Sequence, residues 1–207
     1  MRAEHEEIER TARALWEQGT FSDAATAILR GYGPEILGLL RGLSRDEDDA
    51  SEAFAVFAED LLKGIPGFSW RSSARTWAYT LARHAMLRVQ TSPHRRAGRQ
   101  IPLSESPASK LIAEVRERTL PHLRTEVKDS LTRLRESLAP DEQMLLTLRI
   151  DRQMPWDEIT AILDAGESEA IRLDGKKRAA LHRKRFQLLK EKLKKRAAEM
   201  GLLEEEP

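Results

Sequence analysis

Pro140 and Pro155 constrain what this chain can fold into more than any other two residues. Pro140 stands directly ahead of two acids, Asp141/Glu142, and Pro155 one residue ahead of two more, Asp157/Glu158, with Trp156 between; each acid pair leads into an apolar run, Met144 to Leu148 and Ile159 to Leu163. Proline suits the first turn of a helix, where a missing N–H costs nothing, and acids just behind it face the positive end of the helix dipole. Leu138 to Leu163 therefore predicts two short helices in succession, and a long Lys/Arg-rich stretch after them predicts a third. Two short helices ahead of a cationic one are the pattern of a helix-turn-helix DNA reader.

The rest of the chain agrees with helix. Ala, Leu, Glu and Arg dominate, aromatics make up only 5%, and no long alternating Val/Ile/Thr runs occur. The expected fold class is all-α, as two small helical domains, and 207 residues suffice for one or two modest cores. With no cysteine, disulfides, thiolate metal sites and a Cys nucleophile are excluded. No apolar stretch approaches the roughly 20 residues of a membrane span, and Met1-Arg-Ala-Glu-His-Glu-Glu-Ile8 lacks an apolar signal core. A soluble, cytoplasmic chain with no membrane contact is the expectation.

A net charge of +1 hides a strong segregation. No Asp or Glu occurs from Phe68 to Gln100, where Arg71, Arg75, Arg83, Arg88, Arg95, Arg96 and Arg99 all fall. From Ile171 to Arg196 the only acids are Asp174 and Glu191. Against these stand Asp46-Glu-Asp-Asp49 with Glu52, and Glu204-Glu-Glu206 near the end. Two basic surfaces and a separate acidic one suggest a polyanion contacted at two places and a protein at a third.

Along the chain, an acidic lead helix is expected up to Gly19. Phe21 to Leu43 reads as helix interrupted near Gly31-Tyr-Gly-Pro34, and Asp48 to Lys63 as an amphipathic helix with Phe54, Phe57 and Leu61 on one face. Gly64-Ile-Pro-Gly67 ends it, and Phe68 to Ser73 is a loop. A further helix, Ala74 to Val89, places Ala78, Leu81/Ala82, Ala85 and Val89 inward and Thr76, Thr80, Arg83, His84 and Leu87 outward. Thr91 to Ser109, with Pro93, Gly98, Pro102 and Pro107 among serines and arginines, is the best linker candidate. The expected organisation is an N-terminal segment 1–20, a first domain 21–92, a linker 93–118 and a second domain 119–207. The last helix is expected from about Ser168 to Met200, with Lys176, Arg183, Gln187, Lys190 and Lys194 on one stripe and Leu181, Leu188, Leu189 and Leu193 opposite.

Three constellations carry chemistry, each beside a plainer alternative. The last helix could dock on a small core while offering donors to phosphates and base edges; it could also be a solvated helix or half of a coiled coil. In Phe68 to Thr76, Trp70, Arg71 and Arg75 suit unpaired bases, rings stacking while guanidiniums hold phosphates, with Arg83 and His84 behind them. Phe68, Trp70 and Trp77 could instead fill a core, the reading favoured for Trp77. The acids Asp46 to Glu52 open a helix, where acids are ordinary, yet leave a surplus that could dock a protein. No catalytic arrangement is present: the five histidines are scattered, and HExxH, GxSxG and Gly-rich phosphate loops are all missing. Neither an enzyme nor a bound cofactor or metal is expected.

In this order, the pieces resemble bacterial RNA polymerase sigma factors of the two-domain extracytoplasmic-function type (group 4), over most of the chain. Tyr32-Gly-Pro-Glu-Ile-Leu-Gly-Leu-Leu40 and Asp48-Asp-Ala-Ser-Glu-Ala-Phe-Ala-Val-Phe57 look like regions 2.1 and 2.2; Gly67 to His84 looks like regions 2.3 and 2.4. Leu138-Ala-Pro-Asp-Glu142, Trp156 to Leu163 and Leu181-His-Arg183 look like region 4. The sequence departs from the family at Ala50-Ser-Glu-Ala53, at His84 where an Asn is usual, at Lys176-Lys-Arg-Ala-Ala180, and in a longer interval from Glu158 to Leu181.

The resemblance implies binding to core RNA polymerase, at the β-prime clamp coiled coil and the β flap, through Asp48, Asp49, Glu52 and Phe57. It implies a −10 promoter contact through Trp70, Arg71, Arg75, Arg83, His84 and Arg88, with Arg95 and Arg96 near the upstream duplex. A −35 contact falls to Lys176, Lys177, Arg178, His182, Arg183 and Gln187. An anti-sigma factor is a further partner such a protein can have. Two rivals remain: a helix-turn-helix regulator acting without polymerase, which leaves the Trp/Arg loop unused, and a helical adaptor whose basic faces only confer solubility.

Overall fold

A computed structural model describes residues 2–44, 46–91, 111–115, 133–166, 174–200 and 202. The described residues are helical or loop, with no strand among them, and their contacts divide the chain into two compact units, Met1–Leu123 and Arg124–Pro207.

The first unit is built on four helices: α1 Arg2–Glu17, α2 Phe21–Leu43, α3 Glu47–Gly64 and α4 Ala74–Thr91, with a 3-10 turn at Ile65–Gly67. Consecutive helices pack against each other, and α2 also packs on α4. Ile28, Leu29, Tyr32, Ile36, Leu37 and Leu40 give α2 a wholly buried stripe that meets Phe54, Phe57 and Leu61 of α3 in one core. Each such side chain contributes about 1.5–3 kcal/mol by leaving water. Asp46 caps α3, its carboxylate accepting from the Asp48 N–H at 2.9 Å.

α2 is continuous through Gly31-Tyr-Gly-Pro34, where an interruption was expected. Pro34 removes one helical hydrogen bond, and packing on both sides holds the helix through it. The glycines there serve close approach. A Cβ on Gly31 would meet the Ile8 side chain of α1 at 2.6 Å, and one on Gly33 would meet Val115 at 3.1 Å. Residues 111–115, within the stretch expected as linker, are thus a helical segment packed in the first unit, with Leu111 and Val115 buried.

In the second unit, α5 Pro140–Leu146 runs into a π-helical turn, Thr147–Asp151, followed by α6 Trp156–Leu163 and α7 Gly175–Glu199. Pro140 is the first helical residue of α5, as expected; Pro155 sits one place earlier, as the N-cap of α6. Glu142 accepts the Ala139 N–H at 2.9 Å and the Lys192 ammonium at 2.6 Å, so one acid closes the start of α5 and ties α7 to it. Burial opposes its charge, but Lys192 and the Ala139 N–H hold its carboxyl below the ordinary value.

α7 is buried along Ala179, His182, Phe186, Leu189 and Ala197. That stripe corrects the expected one: Leu181 and Leu188 are 43% and 57% exposed, and His182 and Phe186 take the inward positions. Residues 168–173, where the helix was expected to begin, lie outside the described residues.

Candidate nucleic-acid interface

The loop between the 3-10 turn and α4 is an aromatic cluster edged by cations. Phe68 stacks on Trp77, with centroids 4.4 Å apart and planes at 13°, and Trp70 leans on Phe68 at 4.9 Å. Trp16, from α1, meets Trp70 edge-on at 6.2 Å, and the Arg13 guanidinium lies 5.8 Å over the Trp70 ring. Trp70 is half-buried and has φ 55, the left-handed region, which costs a bulky residue about 1–3 kcal/mol. Its indole N–H is buried and has no hydrogen-bond partner among the described residues.

Around that cluster the sequence-nominated cations divide. Arg71 is exposed, its Nε donating to Ser69 Oγ at 3.2 Å. Arg83 and His84 are half-buried on the outer side of α4, and Arg88, half-exposed, pairs with Asp60. Arg75 turns inward: its guanidinium donates to both Glu35 oxygens at 3.0 and 2.9 Å. Burial works against that charge, but the Glu35 carboxylate raises the Arg75 pKa above its ordinary value, and the ring of Tyr79 lies 5.7 Å away. Thr76, expected outward, is buried, its N–H and hydroxyl both bonded to Ser73 Oγ. Arg95 and Arg96 lie outside the described residues.

The acidic positions separate likewise. Asp48 is exposed, and Asp49 and Glu52 are half-buried on the first two turns of α3. Phe57 is fully buried in the core, so it offers no surface to a partner and acts by fixing the helix that carries the acids.

In the second unit, a groove of about 800 Å³ opens between α6 and the start of α7, lined by Arg149, Trp156, Asp157, Lys176, Ala179 and Arg183 among others. Trp156 is flanked by cations: Arg149 lies 4.9 Å from its centroid and Arg183 5.9 Å. Arg149 is fixed by donating to the Met154 carbonyl at 2.9 Å, and Phe186 supports the ring edge-on from below at 5.7 Å. Lys176, Lys177, Arg183 and Gln187 are exposed, with Lys177 paired to Asp174 at 2.6 Å.

Arg178 and His182 do not join them. Asp164, at the end of α6, accepts two bonds from Arg178, both 2.6 Å, and one contact of 2.9 Å with His182 Nε2. Burial raises the Asp164 pKa, and the bonds from Arg178 and His182 outweigh it, holding the carboxyl below its ordinary value. This triad locks α7 onto α6 and so aims the exposed cations of α7.

Several organising residues carry no sequence signal. Glu35, Glu9 and Asp164 read as surface acids, and their partners lie 40, 65 and 14 or more positions away. Arg149 could have been found: it stands beside the helix-turn-helix segment with Trp156 seven positions on. Among the described residues no group of His, Asp or Glu could hold a metal, and no helix is long and apolar enough to cross a membrane.

The first unit thus carries a strained Trp/Arg loop, and the second a cationic groove between two helices, surfaces whose charge and rings suit a polyanion. A narrower likeness comes from the first unit. Residues 28–98, about a third of the chain, match the family model Sigma-70 region 2, a span that takes in most of α2, all of α3 and the Trp70 loop with α4. The match supports a sigma-factor role, in RNA polymerase binding and promoter recognition, which is a role without a catalytic step. No curated protein and no solved structure matches the chain.

Proposed function

We propose that this chain is an alternative sigma factor of the extracytoplasmic-function type, which binds core RNA polymerase and directs it to promoters. The observation that carries the proposal is the Sigma-70 region 2 match ending on a Trp/Arg segment that contains no acid of its own. Asp48, Asp49 and Glu52, on the first turns of α3, meet the β-prime clamp. Trp70 leaves its strained seat to stack on an unpaired base of the −10 element, while Arg71, Arg83, His84 and Arg88 hold the surrounding phosphates. Arg75 serves by fixing the start of α4 rather than by touching DNA.

The second unit grips the −35 element. Lys176, Arg183 and Gln187 line the exposed side of α7, and Arg149 and Trp156 extend that surface across the groove. Arg178 and His182 hold the helix at its angle.

A gel shift with and without core polymerase tests the proposal. Tight promoter binding only in the presence of core supports it. Equal binding by the protein alone, on a palindromic site, favours the stand-alone regulator; no steeply salt-dependent DNA binding in either case favours the adaptor.

A further inference from the structure

α1 lies before the span matched by Sigma-70 region 2, yet it holds the Trp70 loop at both ends. Downstream of the loop, the Glu9 carboxylate accepts the backbone N–H of Ala74 at 2.8 Å and that of Arg75 at 2.9 Å. These are first-turn donors of α4, which have no acceptor within the helix, and a negative charge there is favoured by the dipole. Glu9 is itself oriented by the Tyr32 hydroxyl, which donates to it at 2.9 Å. Upstream of the loop, Trp16 Nε1 donates to the Ile65 carbonyl at 2.8 Å, and the same indole meets Trp70 edge-on.

We infer that Glu9 is a positioning residue for promoter opening: by capping α4 from another helix, it fixes where the Phe68 to Ser73 loop ends and so where Trp70 is presented. The inference rests on the reading of that loop as the −10 contact. Glu9 contacts neither DNA nor polymerase in this role. It acts because a loop with a left-handed Trp70 keeps that conformation only while its ends are held. Arg75 is secured at the same turn by Glu35, so backbone and side chain of one residue are held by two carboxylates.

The test uses holoenzyme reconstituted with the full chain, and a duplex promoter selected by the wild-type holoenzyme from a randomised pool. Glu9→Gln keeps the side-chain shape and one acceptor oxygen but cannot accept both N–H groups. Core affinity, duplex binding and permanganate reactivity of the opened strand are followed at a temperature well below the variant's Tm. The expected result is core affinity and duplex binding within about twofold of wild type, with opening slowed on the order of tenfold, the effect of one charge-assisted hydrogen bond. Glu9→Asp, which retains both acceptor oxygens, should recover part of that rate.

Opening at the wild-type rate by Glu9→Gln would overturn the inference. So would equal losses in core affinity and opening, which is what a merely structural role produces. A wild-type holoenzyme that forms but opens no selected promoter would sink the −10 reading itself, a failure distinct from that of Glu9.

Discussion

Arg75 is held by Glu35 through two parallel hydrogen bonds, with the two side chains only 12% and 13% exposed. An arginine in an acid-free, arginine-rich stretch of sequence is thereby turned into an internal brace between α2 and α4. Breaking one side of such a pair leaves the other charge buried and uncompensated, at a cost of about 3 kcal/mol. Arg75→Ala should therefore lower the urea-unfolding stability of the first unit by about that amount, whereas exposed Arg71→Ala should change it by under about 0.5 kcal/mol. Equal effects of the two substitutions would contradict the assignment.

The left-handed backbone of Trp70 separates two truncations that remove the same ring. Glycine adopts φ 55 without strain and alanine does not, so Trp70→Gly should be at least as stable as Trp70→Ala, by up to about 1 kcal/mol in calorimetry. Both should impair promoter opening more than duplex binding, since only the unpaired base needs the ring. Closed and open complexes weakened alike would remove the stacking role.

In the second unit, Asp164 makes stability depend on acid. Its folded pKa is depressed, so its contribution is fully present above the unfolded value of about 3.9 and is lost as pH falls through the lower folded value. Asp164→Asn should cost about 3 kcal/mol at pH 7, and the gap between variant and wild type should begin to narrow below about pH 4. Denaturant unfolding across pH 3 to 7 reads both; a gap that stays constant would show that the carboxylate charge is not what holds Arg178 and His182.

The groove residues should divide by salt dependence. Arg149→Ala and Arg183→Ala each remove an exposed or half-buried cation beside Trp156, and each should flatten the log–log salt dependence of −35 binding by about one unit. Arg178→Ala should instead act through stability, with little change of slope in the folded protein.

Helix starts were legible because proline and acids act locally: Pro140 begins α5, and Asp157/Glu158 open α6. What failed to read depended on distant partners. Gly31 and Gly33 look like a break, and become packing notches only because Ile8 and Val115 lie against them. The inward stripe of α7 was misplaced because counting leucines cannot see that Asp164 neutralises the cost of burying His182. The candidate site was legible in its exposed members, Arg71, Lys176, Arg183 and Gln187; the acids that aim them were not.

The most direct measurement of the central claim is gel filtration of this protein mixed with bacterial core RNA polymerase. The account predicts a stoichiometric complex, lost when Asp48, Asp49 and Glu52 are together replaced by alanine. Failure of the wild-type chain to co-elute, under salt where a housekeeping sigma factor binds, would contradict it.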